Sequence, residues 1–325
     1  MASALAVALL ALQIIGGSLR VNGAGDGCKG RFYNLRRHVN FPRLPMDTCG
    51  ENNGDRIVGG QAAALGEFPW MTRIGYKLEN CSSPVEYRCG GALITANVVI
   101  TAAHCTTNLP INQCKSSGTY NTYYPHSVRL GEHLIKSDPD CEQNVCAAKV
   151  QDIDIIEVIV HPLYNTPKLR NDIAILKLRR NAIFNGWVNA LCLIADSRVT
   201  IQRYINQTGI VAGWGIINTK THELSKKLMK LRIPILPIER CMDAYRDRAN
   251  LSAREQVCAG GNIGQDSCSG DSGGPLFIID DYDGGPRYRM LGIVSFGFKK
   301  CAVKPLPAVY TNVLYYGKWL MNNIF

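Results

Sequence analysis

The chain has no internal repeat, no low-complexity tract and no long hydrophobic run, and only 19% of its 325 residues are charged. The first two absences set aside solenoid and disordered architectures. The longest apolar stretch, Ala4 to Ile15, is broken by Gln13 and is too short to cross a bilayer, so no membrane span is expected. It reads instead as the apolar middle of a secretory signal, residues 1–23, with Val21 and Gly23 in the two positions a signal peptidase reads. Lys or Arg near Met1 is what that reading lacks, and a buried N-terminal strand or helix is the alternative. Acidic residues are outnumbered, 26 against 36 Lys and Arg, for a net charge of +10. The basic residues are scattered, with short clusters at Arg36-Arg37 and Lys226-Lys227, so a solvated surface is expected rather than a nucleic-acid site. A polyanion partner stays open.

Cysteine is plentiful. Thirteen cysteines fit an oxidising compartment, and the odd number leaves at least one thiol free or paired to another molecule. Sequons at Asn80, Asn206 and Asn250 agree with a secreted protein. Residues 24–56 hold Gly, Pro, Asn and Arg with little apolar periodicity, and so cannot form a core of their own. From Ile57 onward, short apolar runs alternate with Gly, Asn and Pro turns: 92–94, 98–100, 155–160, 173–178, 210–212, 276–279 and 291–294. Many short strands with turn signals between them indicate an all-β sandwich or barrel. Val313, Tyr316, Leu320 and Ile324 make a stripe at helical spacing, the only convincing helix.

Hydrolysing an amide by a nucleophile takes an activated hydroxyl, a base, a carboxylate to orient the base, and donors for the oxyanion. Three segments supply these parts: Thr101-Ala102-Ala103-His104-Cys105, Asn171-Asp172-Ile173-Ala174 and Gly270-Asp271-Ser272-Gly273-Gly274-Pro275. Singly, each has an ordinary reading as a surface histidine, a turn aspartate or a glycine turn. Together and in this order they resemble the signatures of the chymotrypsin/trypsin family, and the resemblance covers nearly all of 57–325. It implies two six-stranded antiparallel β-barrels with a C-terminal helix. His104 would be the general base, Asp172 its orienting partner and Ser272 the nucleophile, with the N–H groups of Gly270 and Ser272 as the oxyanion hole.

Arg56-Ile57-Val58-Gly59-Gly60 resembles the family's activation site. A cut after Arg56 would free the Ile57 amine to pair with Asp271. Asp266, six residues before the nucleophile, would sit at the base of the specificity pocket and draw Arg or Lys side chains. Ser295-Phe296-Gly297 resembles the segment lining that pocket. The family's Pro-Gly-Val-Tyr is here Pro307-Ala308-Val309-Tyr310, so the Ala308 methyl is expected to project towards Asp266 and to alter cation binding or turnover.

By resemblance, Cys89–Cys105, Cys241–Cys258 and Cys268–Cys301 would be bridges of the catalytic domain, and Cys49–Cys192 would tie the pre-cut segment to it. Cys141–Cys146 and Cys81–Cys114 would be two more, which leaves Cys28. The upstream segment and Val128-Arg129-Leu130-Gly131-Glu132 resemble arthropod clip-domain proteases, which act in haemolymph cascades. A clip domain carries six cysteines, and here only Cys28 precedes Cys49, so a truncated or absent clip module is expected over 24–56. Glu132 and Glu142 lie in a loop where some trypsin-like proteins bind Ca²⁺, and equally suit two solvated carboxylates. No cofactor is expected to be required. The partners implied are protein substrates with Arg or Lys at the cut, an upstream trypsin-like activator and a serpin-type inhibitor. A digestive trypsin and a non-catalytic homologue acting as a binding cofactor are the competing readings.

Overall fold

The structure, a computed structural model, describes residues 32–52, 62–107, 109–218, 221, 223–261, 271–281, 285–297 and 306–325. The signal segment, Cys28, Arg56, Ile57, Asp266, Cys268, Gly270 and Cys301 lie outside the described residues.

In chain order the first half contributes β1 (Met71–Leu78), β2 (Glu86–Thr95), β3 (Val98–Thr101), β4 (Ile111–Gln113), β5 (Tyr120–Leu130), β6 (Cys141–Glu142), β7 (Val145–Cys146), β8 (Gln151–Val160) and β9 (Ala174–Leu178). The second half contributes β10 (Cys192–Leu193), β11 (Thr208–Gly213), β12 (Ile216–Asn218), β13 (Glu223–Leu224), β14 (Met229–Leu236), β15 (Gln256–Gly260), β16 (Pro275–Asp280), β17 (Arg287–Phe296) and β18 (Pro307–Asn312). Strands β1-β2-β3-β9-β8-β5 close on themselves through β1–β5, with β4 hydrogen-bonded outside β5. Strands β17-β16-β11-β14-β15-β18 close through β17–β18, with β10 added in parallel at β17. These are two six-stranded antiparallel barrels, and closure removes the free edges that short strands would otherwise expose.

The runs picked out by sequence fall inside strands because each supplies a barrel interior. Ile74, Leu93, Val99, Val128, Leu130, Ile153 and Leu176 fill the first barrel; Val211, Ile233, Ile235, Leu276, Leu291 and Tyr310 fill the second. A third cluster lies between them, where Trp70 meets Phe277 edge-to-face at 5.5 Å and Phe68 does the same at 5.0 Å. Aromatic side chains of both barrels thus pack against each other in the core between them, which stiffens the junction of the two halves.

Two helices are present among the described residues, α1 (Ile238–Ala244) and α2 (Gly317–Asn323). The stripe Val313, Tyr316, Leu320 and Ile324 is buried and α2 lies within its span. Helix α1 departs from the reading of a single helix. Its signal was legible in Pro237 ahead of it and in Ile238, Cys241 and Tyr245, whose spacing of three and four makes one face.

Residues 32–52 form no core of their own, as their composition implies, but they complete that of the barrels. Leu35 and Leu44 join the inter-barrel cluster. Asn34 caps the turn 35–37 by accepting from Arg36 N at 3.1 Å, and Leu35 N donates to Ala195 O at 3.0 Å. Gly317 at the start of α2 lets the segment approach, since a Cβ there would stand 2.8 Å from Leu35 Cδ2. Asn40 donates to Met321 O at 3.0 Å, and Arg43 lies 4.0 Å over the Phe325 ring. The segment ends at the Cys49–Cys192 disulfide, where Gly50 N donates to Ala190 O at 2.7 Å. This strap is thus fixed to the second barrel by a covalent bond, hydrogen bonds and buried leucines at once.

Candidate active site

His104 sits on a single 3₁₀ turn, Ala103–Cys105, that follows β3, and the Cys89–Cys105 disulfide fastens that turn to β2. Asp172 precedes β9, which pairs with β3, so the barrel register brings the two side by side. His104 Nδ1 is 2.8 Å from Asp172 Oδ2, and the His104 backbone N–H donates to Oδ1 at 2.9 Å. Ser295 Oγ of β17 donates to Oδ2 at 2.5 Å, and Thr311 Oγ1 of β18 donates to the Asp172 carbonyl at 2.8 Å. Asp172 is buried with every one of these donors in place. An ionised carboxylate only accepts, so Nδ1 carries the imidazole proton and Nε2 keeps its lone pair free to act as a base.

Ser272 is held by backbone bonds to both barrels. Its carbonyl accepts from Gly90 N of β2 at 2.8 Å, and Gly273 N next to it donates to Val294 O at 2.9 Å. Gly273 has φ +78°, and a Cβ there would stand 2.2 Å from Thr101 Oγ1, so only glycine lets this turn close on the first barrel. The sequence showed glycines around the nucleophile; it did not show that the obstacle is Thr101, which itself donates to Gly90 O at 2.8 Å.

The Asp271 carboxylate lies against the turn after β11, where Gly215 N donates to Oδ1 at 2.9 Å. A Cβ on Gly213 would be 2.0 Å from Oδ1, and one on Gly215 would be 2.4 Å from Oδ2. Two glycines flanking Trp214 therefore make the room for this acid. The Gly213-Trp214-Gly215 run is the sequence signal for this acid's seat.

Of the pocket residues, Ala308 is buried on β18, and its methyl is 3.7 Å from where a Cβ on Gly297 would stand. The methyl thus faces the Gly297 wall and narrows the space between them. The Ser295 hydroxyl is committed to Asp172, so the backbone is what Ser295 has to offer a substrate. Bridges form at Cys49–Cys192, Cys81–Cys114, Cys89–Cys105, Cys141–Cys146 and Cys241–Cys258.

Glu132 and Glu142 face the protein's own basic side chains. Glu132 Oε2 is 3.4 Å from both Arg73 and Arg129, and Glu142 Oε1 meets Lys227 Nζ and, at 3.3 Å, His133 Nε2. The nearby Asp140 is fully used by His133 N, Leu134 N and Ser137 Oγ. Glu132 Oε1 is buried without a hydrogen bond, but three cationic side chains, Arg73, Arg129 and Lys227, around two acids leave little charge for a divalent ion. This donor set does not suit calcium.

No helix among the described residues is long and apolar enough to cross a membrane. The family described as "Trypsin" matches residues 57–320. The chain is 35% identical to CLIP domain-containing serine protease B4 of Anopheles gambiae, over 88% of this chain and 75% of that protein. It is 35% identical to Spaetzle-processing enzyme of Drosophila melanogaster, covering 86% and 68%, and 36% identical to phenoloxidase-activating enzyme 1 of Spodoptera litura, covering 86% and 70%. The crystal structure of the Drosophila Grass clip serine protease of the Toll pathway superposes with a TM-score of 0.70 at 32% identity, covering 85% of this chain and 74% of that one. With its two closed barrels and the family match over residues 57–320, the chain belongs to the trypsin family and is a serine protease.

Proposed function

We propose that the chain is a secreted zymogen, cut between Arg56 and Ile57, whose active form cleaves protein substrates after Arg or Lys in an extracellular arthropod cascade. The observation that carries the reading is the strap: residues 32–52 are bonded to the second barrel through Cys49–Cys192 and through Leu35 and Leu44, so a cut after Arg56 leaves both pieces together. A digestive enzyme usually sheds a short peptide instead, which weighs against that alternative. The relatives named for processing Spaetzle, activating phenoloxidase and melanization support a cascade role.

In the reaction, His104 Nε2 takes the Ser272 proton as Oγ bonds to the scissile carbonyl carbon. Asp172 keeps the resulting imidazolium in register. The oxyanion is received by backbone N–H groups, Gly270 and Ser272 by resemblance, and one such donor supplies about 3–4 kcal/mol of transition-state stabilisation. The proton passes from His104 to the leaving amine as the C–N bond breaks, and water then hydrolyses the Ser272 ester by the same base. Asp266 supplies the preference for Arg and Lys, with Ala308 tightening the pocket. The activation bond itself follows an Arg, so a trypsin-like protease acts upstream, and a serpin-type inhibitor suits the same specificity.

The test is turnover of paired Arg, Lys and Phe peptides by protein cut after Arg56, alongside Asp266→Ser. Arg or Lys turnover that Asp266→Ser abolishes supports the reading. Cut, folded protein without turnover would hand it to the binding-cofactor alternative, and an Arg preference surviving Asp266→Ser would remove that assignment.

A further inference from the structure

The chain's excess of basic over acidic residues is spread unevenly once it is folded. On the barrels many basic side chains are matched: Arg129 to Asp152 at 2.7 Å, Arg179 to Asp154 at 3.1 Å and Arg198 to Asp196 at 2.7 Å. The strap and α2 are different. Residues 32–46 and 313–325 carry Arg36, Arg37, Arg43 and Lys318 and contain no Asp or Glu. The strap's acids come later, at Asp47 and Glu51, and Glu51 is taken by Arg287 at 3.0 Å.

Packing turns these two segments into one surface. Leu35 meets Gly317, Asn40 donates to Met321 O at 3.0 Å and Arg43 lies over Phe325, so the strap runs alongside the helix in the same direction. At helical rise, Gly317 and Phe325 are about 12 Å apart. Asn322 Oδ1 is 2.9 Å from His38 Nε2, and Lys318 stands one turn before Asn322 on the same side of the helix. Lys318 is therefore on the strap side, beside the turn 35–37 that carries Arg36 and Arg37, with Arg43 at the far end.

All four of these basic side chains are exposed. No ion pair among the described residues involves Arg37, Arg43 or Lys318. Like charges in a row without an acid repel one another, whereas a merely solvated face intersperses both signs. Two of the guanidinium groups are steadied on rings, Arg36 at 6.0 Å from the Phe41 centroid and Arg43 at 4.0 Å from that of Phe325. Such support lowers the cost of ordering them on a ligand. Guanidinium forks suit sulfate or phosphate oxygens. Val39 and Tyr315 are the exposed large apolar side chains of the two segments, too few for the apolar anchors of a protein interface or a membrane.

We propose that the strap and α2 together bind a linear sulfated polysaccharide, with Arg37, Arg43 and Lys318, joined by Arg36, on its sulfate groups. Cys49–Cys192 keeps the strap on the second barrel, so a cut after Arg56 leaves this surface whole. Uncut and cut forms are thus held alike on one extracellular matrix.

The test is binding of the uncut full chain to a heparin dodecasaccharide, followed by titration calorimetry between about 50 and 200 mM salt. With Arg37→Gln, Arg43→Gln and Lys318→Gln combined, affinity is expected to fall about tenfold or more, and the slope of log K against log salt to shrink by about two to three. Arg43→Lys alone keeps the charge and is expected to keep the slope. A comparison triple of the same charge change, Lys168→Gln, Arg246→Gln and Arg248→Gln, alters a different exposed groove and is expected to leave the slope unchanged. Equal losses in the two triples, each melting cooperatively as wild type does, would overturn the proposal in favour of diffuse charge. So would no binding by wild type, or equally tight binding of poly-glutamate of matched charge or of vesicles rich in phosphatidylserine. Every protein is measured uncut, so the result is separate from whether the cut at Arg56 activates.

Discussion

Two aspartates serve this site, and their surroundings differ in kind. Asp172 is buried under donors from three elements: the turn of His104, Ser295 of β17 and Thr311 of β18. Asp271, one residue from the nucleophile, rests on one turn between two glycines and opens onto a cavity that also holds Arg73. The first arrangement has no alternative geometry without breaking several hydrogen bonds. The second leaves space for a change of partner. A site that must be switched can thus keep its proton-transfer pair assembled and place the variable element beside the oxyanion loop.

The largest expected effect breaks the fixed side. Asp172→Asn should keep the fold and lower kcat by about 10⁴, because the wrong imidazole tautomer would face Ser272. On the switching side, Asp271→Asn should lower the activity of the cut protein by about 10²–10³, the scale of a lost oxyanion donor, and leave the uncut protein unchanged. An equal loss in both forms would erase the distinction between the two acids. Ser295→Ala removes one charge-assisted bond to Asp172 and should cost about tenfold in kcat/KM. Leu35→Ala should leave kcat alone and lower unfolding stability by about 2–4 kcal/mol, read by denaturant titration, since Leu35 is 2% exposed beneath α2.

The smallest effect concerns the loop behind Arg73. Burial holds His133 below its ordinary histidine range, with Glu142 opposing. The native state then binds that proton less readily than the unfolded chain. Its stability contribution is whole above about pH 6.5, and it is lost as the pH falls through the native range of His133. His133→Gln should flatten the decline of melting temperature on the acid side, and an unchanged slope would place the acid sensitivity elsewhere.

Much of this was legible in the residues. Strands announced themselves because a closed small barrel needs a short apolar run for each interior face, and β3, Val98–Thr101, is apolar to its last residue but one. His104, Asp172 and Ser272 were legible because amide hydrolysis leaves few choices of side chain. Helix α1 was missed because seven residues carry barely two turns of periodicity. The strap was read as unable to form a core, which is correct for the segment alone; Leu35 bonds to Ala195 and packs against Gly317, both far away in sequence, a relation no local pattern contains. Ser295 was read as a pocket residue by resemblance of the segment Ser295-Phe296-Gly297; that its hydroxyl also donates to Asp172 depends on where β17 crosses that acid, which no local pattern contains. Glu132 and Glu142 suited oxygen ligation or two solvated carboxylates equally in sequence; that Arg73 of β1 and Lys227 ahead of β14 come up against them depends on the fold.

The most direct test of the switch is labelling of Ser272 by a serine-directed fluorophosphonate, with site identification by mass spectrometry, before and after cleavage at Arg56. Labelling that appears with the cut, while Cys49–Cys192 keeps the two pieces together on a non-reducing gel, is the expected result. Full labelling of the uncut chain, or none after a verified cut, would contradict it.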